Sequence, residues 1–398
     1  MNNSSFSDRC LRITAEVLNN PTAPLREEMI QAYLREFVRK RPALTLCEDR
    51  AGNIVIQYTS RGASKNTPLR CFTPSLSGCQ RTERPERSIG TLVMVAHMDH
   101  PGFWVEKVAG NAVKLVFKGG VGKPHARVGT RIKFFETGRS EPIGSGRLLT
   151  THCRKGNLFS ATALIVNGTA LAGGIAMWDL PSYEIRNGLI ISRVCDDLIG
   201  VAASLCTLNE LARLKPAGVT VQGLFTRSEE IGFMGALEAI RLKTVPKNAT
   251  VLSLETSKAL ANAPQGNGVI LRVGDRASIF NPDMTDALWQ VAGQLAKKDR
   301  TFKCQRRLMD GGTCEATVFC ATGYRASGLA VPLGNYHNQA FDARHRPQIG
   351  AETVNVDDFI CEIRLLVELA LHPQNQRKPT GLPTWLKTRM QKARHALS

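Results

Sequence analysis

The chain has 398 residues, of which 43% are apolar, and carries a formal charge of +18. That length allows a large core and two domains, and no apolar run approaches the length of a membrane span. The 11 cysteines are odd in number and lack CxxC spacing, which argues against a disulfide framework or a structural zinc knuckle and sets the expectation of a reducing cytoplasm.

The first residues, MNNSSFSDRCLRITAEVL, have no basic stretch followed by an apolar one, so no secretory leader is expected. The positive charge is spread out, with groups at Arg61–Arg87 and Arg377–Arg394 and the rest dispersed. No zinc finger, RNP-like stretch or basic-aromatic interleave accompanies it. A generally basic surface is therefore expected, not a nucleic-acid-binding protein.

Helices are expected over residues 9–20 and 25–41, the second from Leu25, Met29, Ile30, Leu34, Phe37 and Val38 at helical spacing. Two alternating runs over residues 44–58 flank the turn Asp49 to Asn53 and read as a hairpin. Residues 61–89 are polar, basic and broken by Pro68, Pro74 and Pro85, as in a surface loop. Residues 91–96, TLVMVA, are continuously apolar, as in a strand buried in a parallel sheet.

Residues 103–184 change character. Short β-type runs alternate with glycine-rich turns, and no long amphipathic helix appears, as in a small inserted β-barrel or sandwich. The α/β pattern resumes at Gly188. Strands are expected over 188–194, 219–226, 250–254, 268–273 and 328–333. Helices are expected from Asp197 to about Leu214, over 233–243 and 284–298, from Gly311-Gly312-Thr313 to about Ala321, and over 355–371. The basic tail, 373–398, reads as an appended helix or disorder. The expected division is a catalytic α/β domain over 1–102 and 186–372, an inserted β domain over 103–185, and the tail.

Five candidate metal-binding positions share one placement. His97, Asp196, the pair Glu229-Glu230, Glu255 and His337 each follow an expected strand. In an open α/β sheet the carboxyl ends of parallel strands line one rim, and ligands bind there. His, Asp and Glu supply nitrogen and oxygen donors that suit zinc, cobalt or manganese. A carboxylate can bridge two metals. The Glu pair just past a strand lets one carboxylate bind metal while the other faces a water, as metal-dependent hydrolysis requires. Read alone, the same pair would serve as acids at the start of the next helix.

VAHMDHPGF, CDDLIGVAA, FTRSEEIGFMGA, SLETS, DGGTCEATVF and the isolated His337 resemble, in order and spacing, the tetrahedral (deblocking or glutamyl) aminopeptidase family of two-metal peptidases. The resemblance covers about residues 9–370, and that family carries a small β domain where this chain has 103–185. It implies a zinc-peptidase-like α/β fold: a mostly parallel-centred sheet flanked by helices, with an inserted small β-barrel domain. It implies two divalent metal ions, a peptide substrate and a homo-oligomer formed through the insert. His97 and His337 would each bind one metal, Asp196 would bridge, and Glu230 and Glu255 would complete the two positions. Asp99 would hold the His97 ring, and Glu229 would be the general base. The Asp196–Asp197 peptide would be cis.

The chain departs from the family pattern at several points. Glu255 stands where Asp is usual and is longer by about 1.5 Å. Cys314 replaces the Asp of Gly-Gly-Thr-Asp beside Gly312, Leu198 replaces an Arg, and His100 replaces a common Glu. These changes leave the metal chemistry and bear on substrate. The stretch after His337, NQAFDARHRPQIGAET, is long and basic, so Arg344 and Arg346 are candidates for binding an anionic substrate group. Two rival readings stay open from sequence: a metal-dependent deacylase of N-acyl amino acids, favoured by Glu255 and Cys314, and a non-catalytic basic binding protein.

Overall fold

The computed structural model describes residues 3–60, 91–372 and 384–397. The expected surface loop 61–89 lies outside these residues, as does the first part of the basic tail.

In chain order the elements are α1 (Asn3–Leu18), α2 (Glu28–Arg39), β1 (Leu44–Glu48), β2 (Ile54–Thr59) and β3 (Leu92–His97). Six strands follow: β4 (Gly102–Ala109), β5 (Ala112–Lys118), β6 (Arg131–Phe135), β7 (Gly144–Arg154), β8 (Asn157–Gly168) and β9 (Ile175–Trp178). Next come β10 (Glu184–Arg186), β11 (Leu189–Ser192), α3 (Leu198–Leu214), β12 (Thr220–Thr226), α4 (Met234–Arg241), β13 (Thr250–Ser253), β14 (Thr256–Lys258) and β15 (Val269–Asp275). The chain continues through α5 (Pro282–Lys298), β16 (Cys304–Met309), α6 (Glu315–Ala321), β17 (Arg325–Gly334), β18 (Gln339–Phe341), β19 (Pro347–Ile349), β20 (Glu352–Asn355), α7 (Val356–Leu371) and α8 (Thr384–Leu397).

The central sheet has 12 strands, with the main order β1-β2-β12-β3-β13-β17-β20-β11-β10. Its middle is parallel: β12 runs with β3, β3 with β13, and β13 with β17. The flanking strands are antiparallel, so the sheet is mixed.

Strand β3 is buried along its whole length, and alternation sends its side chains to two different cores. Leu92, Met94 and Ala96 join the larger core with residues of α1, α2, α3, α5 and α7. Val93 and Val95 join the opposite face with residues of α4 and α6. A strand covered on both sides needs a continuous apolar run, and TLVMVA is one.

The inserted segment closes into a barrel, β4-β5-β8-β7-β6-β9. Its core is separate and centres on Phe103, whose ring lies edge-on to Phe117 and Trp178 with centroids 4.8 and 4.9 Å away. Phe103→Ala is expected to destabilise the fold by about 3–5 kcal/mol through cavity formation. Urea unfolding followed by tryptophan fluorescence measures this, and an unchanged midpoint would contradict the packing account.

Several elements differ from expectation. Strand β16, CQRRLM, was not anticipated because its pattern is polar; among the described residues it pairs with β15 alone and leaves Arg306 exposed. Helix α6 starts at Glu315, so Gly311-Gly312-Thr313 precede it instead of opening it. The short strands β14, β18, β19 and β20 also lay outside the expected set. Within the tail, Thr384–Leu397 is helical.

Candidate metal centre

The parallel strands bring their carboxyl ends to one rim, and the expected ligands gather there. His97 is the last residue of β3 and sits level with Thr226 at the end of β12. Asp196 follows β11 and precedes α3, Glu255 lies two residues past β13, and His337 lies just past β17. The Glu229-Glu230 pair forms a short 3-10 turn after β12 instead of continuing the strand direction. All six side chains line one cavity of about 150 Å³.

Asp196 is central to the arrangement. Its Oδ1 lies 3.5 Å from His97 Nε2, and its Oδ2 lies 3.6 Å from His337 Nε2. One carboxylate thus faces two histidines with a different oxygen for each. Donor atoms within 4.8 Å of one another form the sets His97, Asp196, Glu255 and Asp196, Glu230, His337; a third set joins His97 with Glu229 and Glu230.

The tautomers agree with this geometry. His97 Nδ1 meets the backbone oxygen of Asp99 at 3.1 Å, and His337 Nδ1 meets that of Gly120 at 2.7 Å. A carbonyl only accepts, so both Nδ1 atoms donate and both Nε2 lone pairs are left for the cavity. The Gly120 contact comes from the barrel, which therefore helps to orient a site histidine. Tyr336 stacks on the His337 ring at 3.8 Å between centroids, inclined by 21°.

The expected role of Asp99 was to hold His97, and its Oδ1 does lie 3.5 Å from His97 Nδ1. It also accepts the Glu229 and Glu230 amides at 2.9 and 3.1 Å, one on each oxygen. One buried carboxylate thus ties the histidine to the Glu turn. Asp197 instead caps α3, accepting the Gly200 amide at 3.1 Å. The Asp196–Asp197 peptide is cis.

The electrostatics describe a buried acidic cluster. Burial pushes the Glu255 carboxyl up to about 8 and holds Glu229 well above the usual carboxylate range. Burial also pulls the His337 ring down, but the charge and hydrogen bond of Glu230 together with the charges of Asp196 and Glu352 outweigh it and raise the ring to about 9. His97 is raised well above its ordinary value, because its bonds to Asp196 and Asp99 outweigh burial. Asp196 Oδ1, Glu230 Oε1 and Glu255 Oε1 are buried, and apart from the contacts of Asp196 Oδ1 with His97 Nε2 at 3.5 Å and of Glu230 Oε1 with His337 Nε2 at 3.1 Å they have no hydrogen-bond partner. Orphaned carboxylate oxygens around two imidazole lone pairs are what bound divalent cations would satisfy. The residues present fit two metal ions.

The substrate candidates are placed differently. Gly312 lines the cavity. Cys314 is buried behind it, its amide donating to Asp275 Oδ2 at 3.0 Å. Arg344 and Arg346 are exposed near the β18–β19 turn and do not line the cavity; Asp342 accepts both their amides and the Arg346 Nε. The cations in the wall are Arg272 of β15 and Lys258 of β14, which sequence reasoning missed. Arg272 is buried, and its Nε has no hydrogen-bond partner. The available signal was a lone arginine inside the apolar run VILRV.

The model of the M42 glutamyl aminopeptidase family matches residues 169–345. The match takes in Asp196, Glu229, Glu230, Glu255 and His337. The sequence finds no match among curated proteins. The fold is similar to that of aminopeptidase APDkam598 from the archaeon Desulfurococcus kamchatkensis, with 18% identity over 95% of this chain and 99% of the other and a TM-score of 0.70. It is similar to the TET1 peptidase of Pyrococcus horikoshii at 16% identity, over 91% of this chain and 99% of the other, with a TM-score of 0.68. It is similar to yeast aminopeptidase 1 at 12% identity, over 93% and 98% of the two chains, with a TM-score of 0.61. These likenesses show that the chain shares its fold with aminopeptidases.

Proposed function

We propose that the chain releases N-terminal residues from short peptides, using two divalent metals held by the strand-end cluster. The observation that carries this reading is Asp196, whose two oxygens face His97 and His337 separately. His97 and Glu255 complete one position, and His337 and Glu230 complete the other. Zinc suits the donors, and cobalt or manganese would also fit. When bound, the ions supply Lewis acidity towards the scissile carbonyl and a water.

Glu229 is the general base. It borders the cavity with Oε2 4.0 Å from His97 Nε2, and both metal positions are complete without it. It takes a proton from the attacking water and passes it to the leaving amine.

The far wall sets the preferred residue. Arg272 and Lys258 line the cavity and present positive charge to it. A buried guanidinium without a full set of partners favours a carboxylate, so the preferred N-terminal residue is acidic. Arg272→Met is expected to lower kcat/KM on a glutamyl substrate about 10–100-fold, the value of a charge-assisted hydrogen bond, and to leave a leucyl substrate near its original rate. Equal losses on both substrates would remove Arg272 from specificity. Aminoacyl and N-acyl substrates assayed with zinc, cobalt and manganese test the reaction itself, and release from N-acyl substrates alone would refute it.

The reading includes a cytoplasmic homo-oligomer. TET1 of Pyrococcus horikoshii is described as assembling into a tetrahedron or an octahedral shell. Here Leu149, Phe159, Leu164 and Val166 lie exposed on neighbouring barrel strands β7 and β8, an apolar surface suited to a second copy. A monomeric mass by light scattering at micromolar concentration would remove this part.

A further inference from the structure

One buried carboxylate outside the ligand set touches both halves of the site. Glu352 is the first residue of β20, and β20 lies between β17 and β11 in the sheet. It runs antiparallel to both neighbours, so its start lies at their carboxyl ends. His337 follows β17 and Asp196 follows β11.

Glu352 is fully buried. Its Oε2 accepts the amides of Cys195 and Asp196 at 2.7 and 3.0 Å. Its Oε1 accepts the amide of His337 at 2.8 Å. Three backbone donors thus converge on its two oxygens. A second tie joins the same loops: His100 meets Asp196 O through Nδ1 at 2.6 Å and Asn338 Oδ1 through Nε2 at 3.0 Å.

We propose that Glu352 is a positioning residue that sets the spacing between the Asp196 and His337 loops, and with it the metal position that these two residues share. The inference rests on the two-metal reading. The backbone around His337 is in the left-handed region, with φ of 54° at His337 and 60° at Asn338, so the loop needs an external hold. Glu352 supplies it from an element that carries no ligand of its own. Glutamine at this position would turn an amino group towards an amide donor and lose one side of the clamp. Aspartate would keep the charge but fall about 1.5 Å short and could hold only one loop.

The test is cobalt titration of metal-free protein, followed by visible absorption and by the cobalt retained after dialysis. The wild type is expected to take two equivalents. Glu352→Gln is expected to bind the cobalt at the His337 position 10–100-fold more weakly, as for other residues that support ligands, with a smaller change at the position of His97 and Glu255. In the turnover assay kcat should fall more than KM rises.

Asp358→Asn is the structural control. Asp358 also accepts two backbone amides, those of Gly266 and Gly268 at 2.7 and 2.6 Å, but touches no metal-bearing loop. It should lower the thermal midpoint without changing either cobalt affinity. If Glu352→Gln does not fold, Glu352→Asp takes its place with the same expected loss at one position. Two equivalents at wild-type affinity in the folded variant would overturn the clamp alone. A parallel loss of both equivalents that tracks the thermal midpoint would also overturn it. A wild-type protein that takes no cobalt would overturn the clamp and the two-metal reading together.

Discussion

Glu229→Gln is expected to lower kcat by about 10²–10⁴-fold, the range for loss of a general base, while metal content and thermal midpoint stay near wild type. Neither metal position depends on the Glu229 carboxylate, because each has two other donors besides the shared Asp196. The turn is also held independently of that side chain, since Asp99 binds the backbone amides of Glu229 and Glu230. Glutamine keeps the shape and removes the basic oxygen pair. A kcat within threefold of wild type would exclude Glu229 as the base. A large loss of metal would instead make it a ligand, as the proximity of His97, Glu229 and Glu230 allows.

Asp196→Asn carries the second large effect. In the proposed site both metal positions share this carboxylate, and the amide nitrogen that replaces one oxygen is a poor ligand. Metal stoichiometry should fall from two to one or none, and activity should fall by at least about 10³-fold, as expected when an electrophilic centre is lost with its acidified water. The fold should persist, because the α3 cap is made by Asp197 and the Asp196 amide is held by Glu352. Metal counting on purified protein decides the case. Retention of two equivalents would show that Asp196 is not shared.

Much of the catalytic core was legible in the sequence because its signals are local. A strand buried on both faces must be continuously apolar, so β3 and β12 stand out. A residue just past such a strand must lie at the sheet's carboxyl rim, so His97, Asp196, Glu229, Glu230, Glu255 and His337 could be placed together before any contact was known. The barrel was legible for a similar reason: short alternating runs with glycine turns can close only among themselves.

Sequence neighbourhood misled where a hairpin intervened. Arg344 and Arg346 follow closely after His337, but β18 and β19 carry them outward and Asp342 holds them there. The cation that does face the cavity, Arg272, comes from an ordinary-looking strand with no motif around it.

By itself the sequence indicated the fold class and the strand-end donors, because each follows from periodicity and from what lies at the end of a strand; the type of chemistry came from the family resemblance. Only the tertiary structure decided how the donors are shared. That Asp196 serves both histidines, that Asp99 forks to the two Glu amides, that Glu352 joins two loops and that Gly120 of the barrel orients His337 are all contacts between distant segments. The last of them spans 217 residues. No local pattern encodes such pairs, because their partners are chosen by sheet order and by the packing of the barrel against the catalytic body.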